Sequence, residues 1–225
     1  GKYNGKKIYI NTNIDHESPQ GPEIKEFNLT SEEGGKIVPV IDTKLRSILY
    51  IAAPSGGGKS TFAANWISNA KKYYPDDPIY LFSPIEEDKV LDDLEPFRAD
   101  MENPEAILNL NRDLLADSFC VFDDCDSILD PILQKIIQRL QDVLLQTGRH
   151  TNTKMVITSH LITDMSKTRK VLNEATAVVL YPLAGDSHNI ERYLHNYMGL
   201  KKDIVERILS MKSRWVLIKK HSQCM

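Results

Sequence analysis

The run Ala53-Pro54-Ser55-Gly56-Gly57-Gly58-Lys59-Ser60 holds residue types at a spacing suited to gripping phosphate. Three successive glycines permit a crowded, partly left-handed path on which backbone N–H groups turn inward around phosphate oxygens. Lys59 brings a point charge to the β- and γ-phosphates of a nucleoside triphosphate, and the Ser60 hydroxyl can ligate Mg²⁺. Thr61 opens a helix whose positive dipole end adds to the cradle. The expected ATP-binding residues are Pro54, Ser55, Gly56, Gly57, Gly58, Lys59, Ser60 and Thr61. The strict form of such a loop begins with Gly where this chain has Ala53, whose methyl group adds little bulk. An apolar strand before the run and a helix after it distinguish it from a chance glycine-rich turn.

The chemistry needs acids as well. Phe119-Cys120-Val121-Phe122-Asp123-Asp124 is an apolar strand that ends in two carboxylates. Delivered beside the phosphate loop, Asp123 is expected to serve Mg²⁺ as a rigid ligand, directly or through water. Asp124 would then polarise the attacking water, a task more often given to the longer Glu, with Asp126 as a rival. The plainer reading of Asp124 and Asp126 is an acidic turn that caps the next helix.

Met155-Val156-Ile157-Thr158-Ser159-His160 is a further strand with a polar end. Ligands of open α/β sheets bind beyond the carboxyl ends of strands, so Ser159 and His160 should approach the nucleotide. His160 is the preferred γ-phosphate sensor or water-aligning group, unless it only starts a surface loop. Arg149, in Gly148-Arg149-His150, could reach a neighbouring subunit's γ-phosphate, or could simply cap a helix. The basic run Lys167-Thr168-Arg169-Lys170 could touch a phosphate backbone, though such runs usually form a solvated face.

From Ser47 onward, apolar strands alternate with amphipathic helices, which implies a mostly parallel sheet covered on both faces. Strands are expected at Ser47–Ala52, Ile79–Ser83, Phe119–Asp123, Lys154–Ser159, Ala177–Tyr181 and Trp215–Ile218. The helix leaving the loop should run from Thr61 to Tyr74, stopped by Pro75. A long helix should follow Asp130 as N-cap with Pro131 in the first position, ending at Gly148. Its apolar residues Ile132, Leu133, Ile136, Ile137, Leu140, Val143 and Leu144 form one stripe at helical spacing. Two short helices around Ile190–Tyr197 and Lys202–Met211 should meet at Gly199. Residues 1–45 are polar, with β-like pieces at Lys7–Ile10 and Lys36–Ile41, and read as an accessory arm before a domain over 46–225.

Composition narrows the classes. The chain has 225 residues, 41% of them hydrophobic, enough for a real core without outside staples. Apolar runs such as Leu49–Ala53 are far too short to cross a bilayer, and no basic leader precedes an apolar stretch, so neither membrane insertion nor secretion is expected. Three cysteines, Cys120, Cys125 and Cys224, carry no paired spacing, which argues against a disulfide scaffold or zinc site. Cys120 reads as a small buried hydrophobe. A net charge of −3 does not advertise nucleic-acid binding, although a ring needs only a basic lumen.

Taken in order, Ala53–Ser60, Val121-Phe122-Asp123-Asp124, Gly148-Arg149-His150, Ile157-Thr158-Ser159-His160 and Lys212-Ser213-Arg214-Trp215-Val216 resemble one branch of the P-loop ATPases. Over about residues 45–220 the chain is similar to the genome-packaging ATPases of large nucleocytoplasmic DNA viruses, the poxvirus type and its giant-virus relatives, within the FtsK–HerA superfamily. The resemblance implies an α/β, RecA-like P-loop NTPase fold and an ATP-driven motor using Mg²⁺. It implies a homo-oligomeric ring, pentameric or hexameric, that threads double-stranded DNA into a capsid and engages capsid or portal-like proteins. It places the protein in the host cytoplasm or viral factory, or with the virion. Arg149 would match the arginine that reaches a neighbour's nucleotide, and Arg214 matches the family pattern. His160 stands where the superfamily commonly has Gln, and Asp124 where many members have Glu.

Other users of the same loop fit less well. A nucleotide kinase-like phosphotransferase usually needs an arginine-rich lid, and no segment is an obvious one. A cellular DNA-pumping ATPase of the same superfamily remains an alternative. A regulatory GTPase needs Asn-Lys-x-Asp and Asp-x-x-Gly strings, and neither occurs. Intact Lys59, Ser60 and Asp123 argue against a non-catalytic relic.

Overall fold

The computed structural model describes residues 2–3, 6–7, 9–11, 24–26, 46–162, 168–184, 187–211 and 213–220. Contacts divide the chain into two units, Gly1–Val40 and Ile41–Met225. In the first, β1 (Lys2–Tyr3) pairs antiparallel with β2 (Lys6–Lys7), and β3 (Tyr9–Asn11) with β4 (Ile24–Glu26). The β-like piece expected at 36–41 lies outside the described residues.

The second unit begins with β5 (Ile48–Ala52), which leads through the glycine-rich loop into α1 (Lys59–Ala70) and then β6 (Ile79–Phe82). After these come α2 (Lys89–Asp92), β7 (Phe97–Arg98), α3 (Pro104–Leu108), β8 (Phe119–Phe122) and α4 (Pro131–Thr147). The chain continues as β9 (Lys154–Ser159), α5 (Arg169–Glu174), β10 (Ala177–Leu180), α6 (Ser187–Arg192), α7 (Lys202–Leu209) and β11 (Val216–Lys219). Seven strands form one sheet in the order β11-β10-β5-β9-β8-β6-β7. Only β11 runs antiparallel to its neighbour; every other pair is parallel.

Alternation along β5 explains the layering. Ile48, Tyr50 and Ala52 face one core with the buried side of α4, whereas Leu49, Ile51 and Ala53 face another with α1. Both faces are covered, so the strand reads as an unbroken apolar run. Ala63, Ala64 and Ala70 on α1 are small enough to bring that helix close to the sheet.

Asp130 caps α4, its Oδ1 accepting from the Ile132 and Leu133 amides at 2.7 and 3.3 Å, with Pro131 at the first position. The expected apolar stripe is too broad. Leu133, Ile137, Leu140 and Leu144 are buried, but Ile132 is 67% exposed and Val143 38%, while Leu145 is buried. At 100° per residue, Ile132 and Val143 sit on one flank of the seam and Leu145 on the other. The helix is rolled so that only the second flank reaches the sheet. At the opposite end, Arg46 donates from Nη2 to the Leu144 carbonyl at 2.7 Å and from Nη1 to that of Leu145 at 3.1 Å. Its Nε donates to the Thr153 carbonyl, and burial pulls the guanidinium down to about 10. Residues 84–118, which carry no clear signal in the sequence, hold the short α2, β7 and α3.

Candidate functional site

The loop from Ala53 to Gly58 leaves the carboxyl end of β5, between β9 and β10. Gly58 caps α1 at φ 98°, a conformation that L side chains rarely adopt. Its carbonyl accepts from the Phe62 amide at 3.0 Å and from the Tyr181 hydroxyl at 3.1 Å, so β10 helps to hold the loop. Burial pushes the Tyr181 hydroxyl upward in pKa, which keeps it a donor. Ala53 has a structural reason. A β-carbon on Gly57 would lie 2.7 Å from the Ala53 β-carbon, so the Ala53 methyl fills space that Gly57 leaves free.

Lys59 is 5% exposed and reaches back across the loop mouth. Its Nζ donates to the Ala53 carbonyl at 3.1 Å and lies 3.3 Å from Asp124 Oδ2 and 3.2 Å from His160 Nδ1. His160 Nε2 is 3.2 Å from the same Asp124 oxygen. With the ammonium donating to Nδ1, the imidazole proton belongs on Nε2, pointing at Asp124. Lys59, Asp124 and His160 therefore form a closed triangle, joined from α1, the end of β8 and the end of β9.

Asp123 is 1% exposed and turned beneath that triangle. Its Oδ1 accepts from the Thr158 hydroxyl at 2.8 Å and its Oδ2 from the Ser83 hydroxyl at 3.3 Å. Burial raises its pKa above the usual carboxylate range, the Thr158 bond opposes that rise, and the adjacent Asp124 charge adds to it. Asp124 sits at φ 45°, and its amide donates to Thr158 Oγ1 at 2.9 Å. A left-handed aspartate costs roughly 1–2 kcal/mol, strain of the kind held at functional sites. Thr158, which the sequence reading passed over, thus positions both acids. Parallel pairing sets the register: Phe122 lies opposite Ile157, so Asp123 and Thr158 meet one residue further on.

Asp126 stands elsewhere. Its Oδ2 accepts from the Ser159 hydroxyl at 2.8 Å and from the His160 amide at 3.3 Å. It pins the end of β9, and Ser159 is turned towards it and not towards Lys59. Of the two candidates for water activation, Asp124 is the one that lies against Lys59.

Mg²⁺ chemistry fits the oxygen donors. Among the described residues no group of three or more His, Cys, Asp or Glu could hold a metal. Ser60 and the buried Asp123 offer hard oxygen atoms of the type Mg²⁺ takes alongside substrate phosphates. Burial that disfavours the Asp123 anion is relieved by a cation.

The remaining candidates scatter. Arg149 is exposed in the turn after α4. Because α4 carries the chain back between the parallel β8 and β9, Arg149 lies at the amino ends of the strands. It is separated from its own loop by about 20 Å of strand. Arg169 is exposed on α5, Lys170 pairs with Asp142, and Lys167 lies outside the described residues. Arg214 matches the family pattern in the sequence, where it could equally support the last strand. Its guanidinium lies across Gly58: a β-carbon there would meet Nη2 at 3.3 Å.

A mostly parallel seven-stranded sheet with a glycine-rich loop between a central strand and a helix is the P-loop NTPase fold. The genome packaging NTPase B204 of Sulfolobus turreted icosahedral virus 2, in complex with ATP-γS, superposes with a TM-score of 0.51. It is 11% identical, over 79% of this chain and 94% of that one. The pCW3 conjugation coupling protein TcpA, also with ATP-γS, gives 0.51 at 13% identity, over 82% of this chain and 56% of that one. At these identities the likeness is one of fold. No protein-family model matches the chain. In sequence, the chain belongs to one family with the uncharacterized protein V3 of Sputnik virophage, to which it is 37% identical over 222 residues, 98% of this chain and 86% of V3. No helix among the described residues is long and apolar enough to cross a membrane.

Proposed function

We propose that the protein is an ATP-hydrolysing motor that drives double-stranded DNA into a viral capsid as a homo-oligomeric ring, in the manner of the packaging ATPases of large DNA viruses. The observation that carries this reading is the convergence of Lys59, Asp124 and His160 at the mouth of the phosphate loop, with buried Asp123 beneath them. The B204 fold and the virophage relative support the viral setting, which implies work in the host cytoplasm or viral factory.

In this reading the loop amides of residues 54–61 wrap the phosphates, and Lys59 swings from Asp124 onto the β- and γ-oxygens. Ser60 and Asp123 would hold Mg²⁺, which would supply positive charge beside the phosphate oxygens. Asp124, freed of Lys59, takes a proton from the attacking water, and His160 aligns that water or senses the γ-phosphate. Arg149, out of reach of its own loop, serves the neighbouring subunit, so the ring completes each site. Arg169 and Lys170 are candidates for the DNA-facing surface. Residues 1–45 are the candidate segment for engaging capsid or portal-like partners.

The test is ATP turnover with and without double-stranded DNA. Strong stimulation is expected, and phosphoryl transfer to a small acceptor would sink the reading. Lys59→Ala should lose nucleotide affinity; unchanged affinity would contradict the assignment of the loop.

A further inference from the structure

Of the two basic side chains described beside the loop, Lys59 is already engaged. Lys59 faces Asp124 and His160, so its charge is largely spent inside the protein. Arg214 is different. It is exposed, and no carboxylate among the described residues pairs with it. Its Nη2, Cζ and Nε lie 3.3, 3.5 and 3.9 Å from where a Gly58 β-carbon would stand, so the guanidinium sits against the loop at Gly58.

The position is built by two neighbours. Trp215 meets the Phe62 ring edge to face, with centroids 4.8 Å apart, which fastens the start of β11 to the first turns of α1. Ser213 Oγ donates to the Trp215 carbonyl at 2.6 Å, closing the turn around Arg214. From the other side, the Tyr181 hydroxyl bonds to the Gly58 carbonyl and feels the Arg214 charge. The β10–β11 pair thus forms a wall along one side of the loop, with the Arg214 guanidinium on it.

We propose that Arg214 is a second phosphate-binding cation of the same subunit, contacting the polyphosphate chain of the bound nucleotide directly. This rests on the reading of residues 53–60 as a triphosphate loop. A guanidinium presents parallel N–H donors that match phosphate oxygens and cannot lose its charge near neutral pH. With no acid to leave among the described residues, it attracts an incoming polyanion before Lys59 has changed partners. Phosphates held by the Gly58 amide and the N-terminus of α1 would lie within the sweep of its side chain.

Trp215 supplies the readout, being 42% exposed, whereas Trp66, the second tryptophan, is 6% exposed. Emission is followed as ATP, inorganic triphosphate or adenosine is titrated at low salt into the parent, Arg214→Ala, Arg214→Lys and Lys59→Ala proteins. Arg214→Ala should weaken ATP and inorganic triphosphate about tenfold, the scale of one hydrogen bond to a charged group, and leave adenosine unchanged. Arg214→Lys should recover part of the loss, high salt should narrow the gap, and the melting temperature should hold. Parent-like ATP affinity in Arg214→Ala, alongside a loss in Lys59→Ala, overturns this inference and spares the loop. Parent-like affinity in both variants overturns the loop reading as well. Equal losses in Arg214→Ala and Arg214→Lys with lowered melting temperatures make Arg214 a structural prop and also refute the proposal.

Discussion

Replacing Thr158 with Val should damage stability and activity together, through one hydroxyl. Thr158 is 2% exposed, and valine keeps its shape. The hydroxyl accepts from the Asp124 amide at 2.9 Å and donates to Asp123 Oδ1 at 2.8 Å. A buried amide left without an acceptor costs about 1–3 kcal/mol, and a bond to a charged group contributes about 1.5–3 kcal/mol. Ser83 still donates to Asp123, and that carboxyl can take up a proton, so part of the second loss is recovered. The net expectation is about 3 kcal/mol, which for a domain of this size lowers the melting temperature by roughly 8 °C. Removing the donor also removes the influence that opposes burial, so the Asp123 pKa rises further and the acidic limb of ATP turnover moves to higher pH. Urea unfolding and a pH–rate profile measure the two effects, with Thr158→Ser as the variant that should restore both. A Val variant within about 0.5 kcal/mol of the parent, with an unmoved acidic limb, would refute the reasoning, since that is the ordinary scatter of an uninvolved site.

Asp123→Asn should stabilise the empty protein at neutral pH while abolishing turnover, as trade-offs at functional sites do. The sign follows from its raised pKa: folding favours the protonated acid, so its ionisation opposes folding above the usual value of 3.8, and the gain should shrink as pH falls towards that value. Arg149→Ala should keep ATP affinity and melting temperature yet lose turnover, and mixing it with Lys59→Ala should restore activity through hybrid sites. Parallel loss of binding and turnover would count against a neighbour-directed arginine. Arg46→Ala should cost about 2–3 kcal/mol in urea unfolding, because it strips a half-buried donor from three carbonyls at and just beyond the end of α4.

What could be read in the sequence was local. The loop, its flanking strand and helix, the Asp130 cap and the acid-ended strand each declare themselves within a few consecutive residues. The triangle of Lys59, Asp124 and His160 was legible as three separate candidates, because Lys59 closes the glycine-rich run and the other two follow apolar strands. Thr158, Arg46 and Tyr181 were not. Their partners lie 34 residues or more away, and only strand order and register bring them together. The segment 84–118 was missed because its elements are short and polar. It supplies the edge of the sheet and part of its cover, where neither periodicity has room to repeat. The over-wide stripe on α4 has a similar cause: spacing gives the face of a helix, whereas its roll depends on what packs beside it.

The triangle at the loop mouth has a consequence for the order of events. An isolated carboxylate next to a phosphate site would repel its own substrate on approach. Here Lys59 masks Asp124 until a competing polyanion draws it away. On the proposed reading, nucleotide binding is an exchange of partners more than a gain of one, which would keep affinity moderate and let product leave. On the proposed mechanism, the water-activating group is unveiled by the molecule it will act on. One lysine would thereby serve as a timing element, keeping the hydrolytic base inert in every subunit whose turn has not come.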